Sequence, residues 1–256
     1  MPAKAEAKNP VGATAKSLRI LDALKRFDGA GVTELANELD LSKGTVHNHL
    51  STLEANEFVI KDGSTYRLSL RFLTLGEYAR QQTPLLEVAR PEIDALAEET
   101  GEIANLLIEE HGRGIYLYIS RGEKAINLDT HVGTRQYLHT SAVGKAILAN
   151  MTDERFEAVV RRHGLPAETP NTVTDKRALN EELQEIREQG VAFDGEERAE
   201  GIRCVAAPIT DKNDNLLASV SVTAPSTRMK GKWFREEIPE QVQNTATVIG
   251  LNASYS

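Results

Sequence analysis

Apolar residues recur every three to four positions at Ala15, Leu18, Leu21 and Leu24, with Ile20 and Phe27 on the same side, which predicts a helix over 13–27. Asp28-Gly29-Ala30-Gly31 ends it. A shorter pattern follows in Leu35, Ala36 and Leu39, with Thr33 expected as its cap and Glu34 at the positive end of the helix dipole. Asp40-Leu41 turns the chain, and Ser42 is the expected cap of a third helix whose stripe is Val46, Leu50 and Leu53. The period then drops to two. Residues 58–61 and 65–68 flank Asp62-Gly63-Ser64, a hairpin turn signal. Helix, turn, helix and wing, in that order, predict a winged helix-turn-helix over 13–68.

The face of the third helix opposite its stripe carries Gly44, His47, Asn48, Ser51, Thr52 and Ala55. Small and hydrogen-bonding side chains of this kind fit a major groove, where they reach base edges at close approach. The residues expected to meet double-stranded DNA are Ser42, Lys43, Gly44, Thr45, His47, Asn48, Ser51 and Thr52, with Lys61 and Thr65 from the wing. The alternative for the pattern taken alone is a helical domain that uses the same fold for protein contacts.

Residues 69–82 hold Leu70, Phe72, Leu73, Leu75, Tyr78 and Ala79, too much apolar surface for a solvated linker. They predict a linker helix that folds back on the first domain or packs on a second subunit, the latter preferred. An amphipathic helix is expected over 85–100, kinked or restarted at Pro91. Strands follow at 103–109 and 115–120, with a third expected at 125–128. Helices are then predicted at 141–150, 152–163 and 175–189, the last capped by Thr174 or Asp175. Strands at 202–209 and 216–222 and a helix over 234–252 complete the chain. The fold class is α+β, with an antiparallel sheet flanked by helices in a sensor-like second domain. The domain plan is a tail at 1–12, the winged domain at 13–68, the linker helix at 69–83 and the second domain at 84–256.

The formal net charge is −8, and it falls unevenly. Residues 1–68 carry nine Lys or Arg and nine Asp or Glu, so the whole excess lies in 69–256. That argues against nucleic acid on the second domain. A positive patch can still form from Lys4, Lys8, Lys16, Arg19, Lys43 and Lys61. Dimerisation, or work at high salt, would make a neutral DNA-binding domain tolerable. Cys204 is the only cysteine, and neither a signal core nor a membrane-length apolar run is visible, so a cytoplasmic location with no membrane partner is expected.

Candidate chemistry is sparse. Ser141-Ala142-Val143-Gly144-Lys145-Ala146 invites a phosphate-loop reading that fails, because His139 stands where the first glycine belongs and Ala146 where a hydroxyl does. The stretch reads either as a helix start able to seat a carboxylate or as one that packs on the sheet. Cys204, in an apolar strand, reads as a small buried hydrophobe. Asp194, Glu196, Glu197 and Glu200 form a solvated loop or a pocket rim. Ser221 and Thr223 face one side of the last strand, toward solvent or toward interior partners. No metal-ligand spacing occurs, and no cofactor is expected.

Several long motifs, in order, resemble the IclR family of transcriptional regulators over 13–252: ELANELDLSKGTVHNHLSTLE at 34–54, YRLSLRFLTLG at 66–76, RPEIDALAEETGE at 90–102, HTSAVGKAILA at 139–149 and FDGEERAEGIRCVAAPI at 193–209. The resemblance implies a cytoplasmic regulator and not an enzyme, a homodimer or dimer of dimers, whose GAF-like second domain binds a small-molecule effector such as an organic acid or sugar-derived compound. It also implies effector-binding roles for Ala142, Val143, Asp194, Cys204, Ser221 and Thr223, with Ala125 and Leu128 as apolar lining. At the recognition helix the chain departs from the family: Asn48 stands where many members carry Arg, and His49 where an apolar residue is expected. The alternatives are a regulator whose second domain only oligomerises and a thiol-dependent GAF-like enzyme using Cys204.

Overall fold

A computed structural model describes residues 8–255, so most of the expected tail, with Lys4, lies outside the described residues. The chain forms two compact units that divide between Gln82 and Thr83.

In the smaller unit, α1 (Gly12–Arg26), α2 (Val32–Leu39) and α3 (Lys43–Ala55) surround a core of Ile20, Leu24, Leu35, Val46 and Leu50. The wing is β2 (Val59–Asp62) and β3 (Thr65–Leu68), joined by a two-residue strand, β1 (Ala30–Gly31), in the order β1-β3-β2. Ser42 caps α3 as expected, its Oγ accepting from Thr45 N–H at 3.1 Å. Thr33 does not cap α2. That helix already starts at Val32, with Gly31 as its uncapped flanking residue, and ends on Asp40 in the left-handed region (φ 51°). His49 is half-buried and pairs with Ser17 Oγ at 2.8 Å through Nδ1, so the polar residue at an apolar position ties α3 to α1. The helix α4 (Arg71–Gln81) buries none of its residues. Only its start folds back, through Phe72 against Phe58 at 5.2 Å and Arg71 on Glu57 at 3.0 Å.

The larger unit is a six-stranded antiparallel sheet with helices on both faces. In chain order its elements are α5 (Leu85–Thr100), β4 (Ile103–Glu110), β5 (Arg113–Arg121), β6 (Arg135–Tyr137), α6 (Ala142–Ala149), α7 (Asp153–His163), α8 (Lys176–Gln189), β7 (Ala192–Gly195), β8 (Ile202–Thr210), β9 (Leu216–Pro225) and α9 (Ile238–Ser254). The strand order is β6-β5-β4-β9-β8-β7. Alternation along the strands sorts the two faces. Val205, Ala207, Ile209, Val220, Val222 and Ala224 pack with α5 and α9, while Leu107, Tyr116, Cys204 and Ala206 pack with α6, α7 and α8.

Three expectations change here. Residues 125–128 form no strand; the third strand is β6, and β7 pairs with β8 as a further short edge strand. Helix α5 runs unbroken through Pro91. Helix α9 begins at Ile238 with Pro239 in its first turn, where a missing N–H breaks no bond, and a π-turn over Trp233–Glu237 precedes it.

Gly144 explains the failed phosphate-loop motif. A Cβ there would lie 2.2 Å from the carbonyl oxygen of Leu138, in the turn that leads into α6. Gly144→Ala must therefore push backbone apart and is expected to cost roughly 1–3 kcal/mol. A thermal melt of the variant that matches the parent would refute this account.

Candidate functional site

On the smaller unit, Ser42, Lys43, Gly44, His47, Asn48, Ser51 and Thr52 of the α3 region are exposed, as are Lys61 and Thr65 on the wing; Thr45 is half-buried. The polar face is partly ordered by its own bonds. Thr45 Oγ1 and Ser42 Oγ lie 2.9 Å apart, and Thr52 Oγ1 donates to Asn48 O at 2.9 Å. The Asn48 side-chain amide makes no bond among the described residues, so both its donor and its acceptor are open. Lys43 sits in the first turn of α3, where a cation gains nothing from the helix dipole but where a phosphate would be doubly favoured. Lys61 lies over the Tyr66 ring at 5.5 Å, which orients its ammonium on the wing.

In the larger unit, strand register sets the site. Asp194, Cys204, Thr223 and Ile103 are successive partners across β7, β8, β9 and β4. The next row on the same face runs Ala206, Ser221, Asn105 and Ile119. Ser221 and Thr223 therefore point inward, and both accept from Asn105 Nδ2, at 3.3 and 3.2 Å. Thr223 Oγ1 donates to Cys204 Sγ at 3.3 Å, and Ser219 Oγ donates to Val143 O at 2.7 Å.

These rows floor a cavity of about 350 Å³ whose lining includes Asn105, Tyr116, Ser141, Asp194, Arg198 and Thr223. Of the residues singled out in the sequence, Leu128, Asp194, Cys204 and Thr223 border it. Ser221 is buried in the row behind. Ala142 and Val143 are buried in the first turn of α6 and do not border it, and Ala125 lies on a turn outside it, its N–H bonded to Gly122 O. The start of α6 is closed by its own cap, since Ser141 Oγ accepts from Gly144 N–H at 3.3 Å.

Sequence reasoning missed the polar cluster of Tyr116, Gln136, Ser141 and Arg198. The Tyr116 hydroxyl donates to Gln136 Oε1 at 3.2 Å, and Gln136 Nε2 donates to Ser141 Oγ at 2.8 Å. Its members come from β5, β6, the cap of α6 and a loop after β7, and no short motif links them. Lys145 was also missed: it is fully buried and paired with Glu197 at 2.7 Å and with Glu182.

Burial dominates the proton chemistry. It pushes Tyr116 up to about 12, and Cys204 up to about 12 with help from the Asp194 charge. Neither ionises near neutrality, and a thiol nucleophile needs the opposite environment. Burial also raises Asp194 to about 7, although the Glu197 N–H donates to its Oδ1 at 2.7 Å. His139 is lowered by burial, and its Nε2 meets Pro166 O at 2.9 Å. Among the described residues no cluster of three His, Cys, Asp or Glu could hold a metal ion. No helix among them is long and apolar enough to cross a membrane.

The model of the IclR helix-turn-helix domain matches residues 13–63, and that of the bacterial transcriptional regulator IclR C-terminal region matches 78–251. The chain is 38% identical over 237 residues to the probable HTH-type transcriptional regulator ArcR of Halobacterium salinarum, covering 91% of this chain and 90% of that one. Among solved structures, the Thermotoga maritima IclR superposes with a TM-score of 0.76 at 27% identity, over 94% of this chain and 98% of that chain. An IclR homologue from Microbacterium hydrocarbonoxydans, complexed with 4-hydroxybenzoate, shares the fold with a TM-score of 0.80 at 21% identity, over 96% of this chain and 100% of that one. With a winged DNA-binding unit and an α+β unit that encloses a cavity, the chain belongs to the IclR family of DNA-binding transcriptional regulators.

Proposed function

We propose that the cavity of the larger unit binds a small-molecule effector, a carboxylate or sugar-derived metabolite, and that its occupancy changes the affinity of the winged unit for operator DNA. The observation that carries this reading is the sheet row Asp194, Cys204 and Thr223. A strand face that served only to oligomerise or to fill a core would be expected to hold large apolar side chains. This one mixes the small polar side chains of Asp194, Thr223 and Asn105 with Ile103 and Ile119 and leaves about 350 Å³ open. The Microbacterium neighbour's 4-hydroxybenzoate supports a carboxylate as the first compound to try. Occupancy and DNA binding are two distinct sites, so the coupling is reciprocal: operator DNA changes effector affinity by the same factor that effector changes DNA affinity. The test is a fluorescence titration of the chain on its own upstream DNA with a panel of small carboxylates and sugar acids. Affinity that no compound moves would turn the reading to a regulator whose second domain only oligomerises.

The working form is a cytoplasmic homodimer or dimer of dimers, with α4 as the linker helix between subunits. Leu70, Leu73 and Tyr78 support this, being 76%, 67% and 66% exposed on or beside one short helix.

Operator contacts are assigned to Ser42, Lys43, Gly44, Thr45, His47, Asn48, Ser51, Thr52, Lys61 and Thr65. Asn48 is the sharpest of them, because its open amide suits adenine in the major groove. Asn48→Ala is expected to weaken specific binding by roughly 1–3 kcal/mol while sparing nonspecific binding. An unchanged ratio of specific to nonspecific affinity would count against it.

A further inference from the structure

Arg198 lies in the loop between β7 and β8, and the core fixes the backbone beneath it. The Glu197 N–H donates to Asp194 Oδ1 at 2.7 Å, and the Glu197 carboxylate is held by buried Lys145 at 2.7 Å. The side chain borders the cavity. There Nη1 donates to Gln136 Oε1 and the guanidinium lies over the Tyr116 ring, 5.6 Å from its centre.

All these partners are neutral. Arg198 is half-buried and forms no ion pair among the described residues. Of the neighbouring carboxylates, Glu196 accepts from Gly201 N–H at 2.8 Å and lies 3.7 Å from Arg203, Glu197 pairs with Lys145, and Asp194 accepts from Glu197 N–H; Asp129 and Glu168 also border the cavity, and neither forms an ion pair with Arg198. A guanidinium keeps its charge at any working pH and presents a rigid fork of donors that matches a carboxylate. Left with neutral acceptors in a partly dry site, that charge is under-compensated. The other arginines of the lining also form no ion pair among the described residues, but none of them joins the Tyr116, Gln136 and Ser141 cluster. Arg113 stacks on Tyr137 at 3.6 Å, Arg121 donates to Thr130 O at 3.2 Å, and Arg135 is exposed at the rim.

We propose that Arg198 is the anion anchor of the cavity, receiving the carboxylate of the effector beside Tyr116 and Gln136, in place of the capped start of α6. The inference rests on the effector-binding reading and names the group that decides specificity within it. It makes the cavity select carboxylates over their neutral amides.

The test uses the full chain and five probe acids: acetate, pyruvate, succinate, benzoate and 4-hydroxybenzoate, each beside its amide. Binding is followed by calorimetry for the parent, Arg198→Gln, Arg198→Lys and Arg161→Gln, with circular dichroism to confirm folding. The parent is expected to bind at least one acid tenfold or more tighter than its amide. Arg198→Gln should lose about tenfold or more in affinity for that acid together with the preference, as the loss of a charge-assisted bond requires. Arg198→Lys should keep part of both, and Arg161→Gln, at an exposed arginine of α7 outside the lining, should change little. If Arg198→Gln binds the acid as the parent does, the anchor is overturned and the effector reading stands. If the parent binds no probe at all, both fall.

Discussion

Lys145→Met is expected to destabilise the larger unit by roughly 3–5 kcal/mol, the usual cost of removing one partner from a buried ion pair. Lys145 is fully buried. Burial works against its ammonium, but Glu197 and Glu182 outweigh that and hold its pKa above the ordinary lysine value. The two carboxylates are not equally placed to survive its loss. The Glu182 side chain is 28% exposed and can turn to water, whereas that of Glu197 is 10% exposed and its Oε2 already lacks a partner. Burial raises the Glu197 pKa even with the lysine present. Most of the cost is therefore a stranded Glu197, and Lys145→Met combined with Glu197→Gln should recover at least ~1.5 kcal/mol of it. Trp233 is the sole tryptophan and lies in the larger unit, so its fluorescence during urea unfolding reports that unit. A single variant that loses less than about 1 kcal/mol would show that the pair contributes little.

The same pair shows where the sequence was legible and where it was not. Periodicity located α3, the wing and the alternating strands β8 and β9, because each carries its signal within ten or so residues. It even set Ser221 and Thr223 on one face, but only the pairing of β9 with β4 and β8 shows that face to be interior. Residues 125–128 form no strand, although β6 covers β5 only over Arg113–Ile115. The edge strands β6 and β7 are three and four residues long and are specified by the strands they pair with. At the site, the family resemblance implies Asp194 and Cys204 together, and the two are register partners across β7 and β8. Motif reading places Lys145 in a failed nucleotide motif and assigns Arg198 no role, since the partners that give each its role stand on other elements. Thr33 failed as a cap for a local reason: Val32 was already helical.

Asp194 should make the stability of the larger unit fall as pH rises from about 4 to about 7. Folding raises its carboxyl from 3.8 to about 7, chiefly through burial. A raised carboxyl binds its proton more tightly folded than unfolded. Stability is then fullest below the unfolded value, declines as pH climbs through the interval, and levels off above the folded value. A rise of that size corresponds to roughly 4 kcal/mol, which exceeds most single contacts in a domain of this kind. Asp194→Asn removes the titration while keeping an oxygen to accept from Glu197 N–H, so the variant should lose this part of the pH slope and exceed the parent in stability at pH 8. Urea unfolding of parent and variant at pH 5 and pH 8, read by Trp233 fluorescence, measures the difference directly. Parallel slopes in the two proteins would mean that Asp194 is already ionised at pH 5 in the folded chain. The same proton bears on the cavity, because a protonated Asp194 can donate a hydrogen bond to a bound carboxylate and an ionised one repels it. Carboxylate binding in the parent should therefore weaken as pH rises past about 7, and in Asp194→Asn it should not.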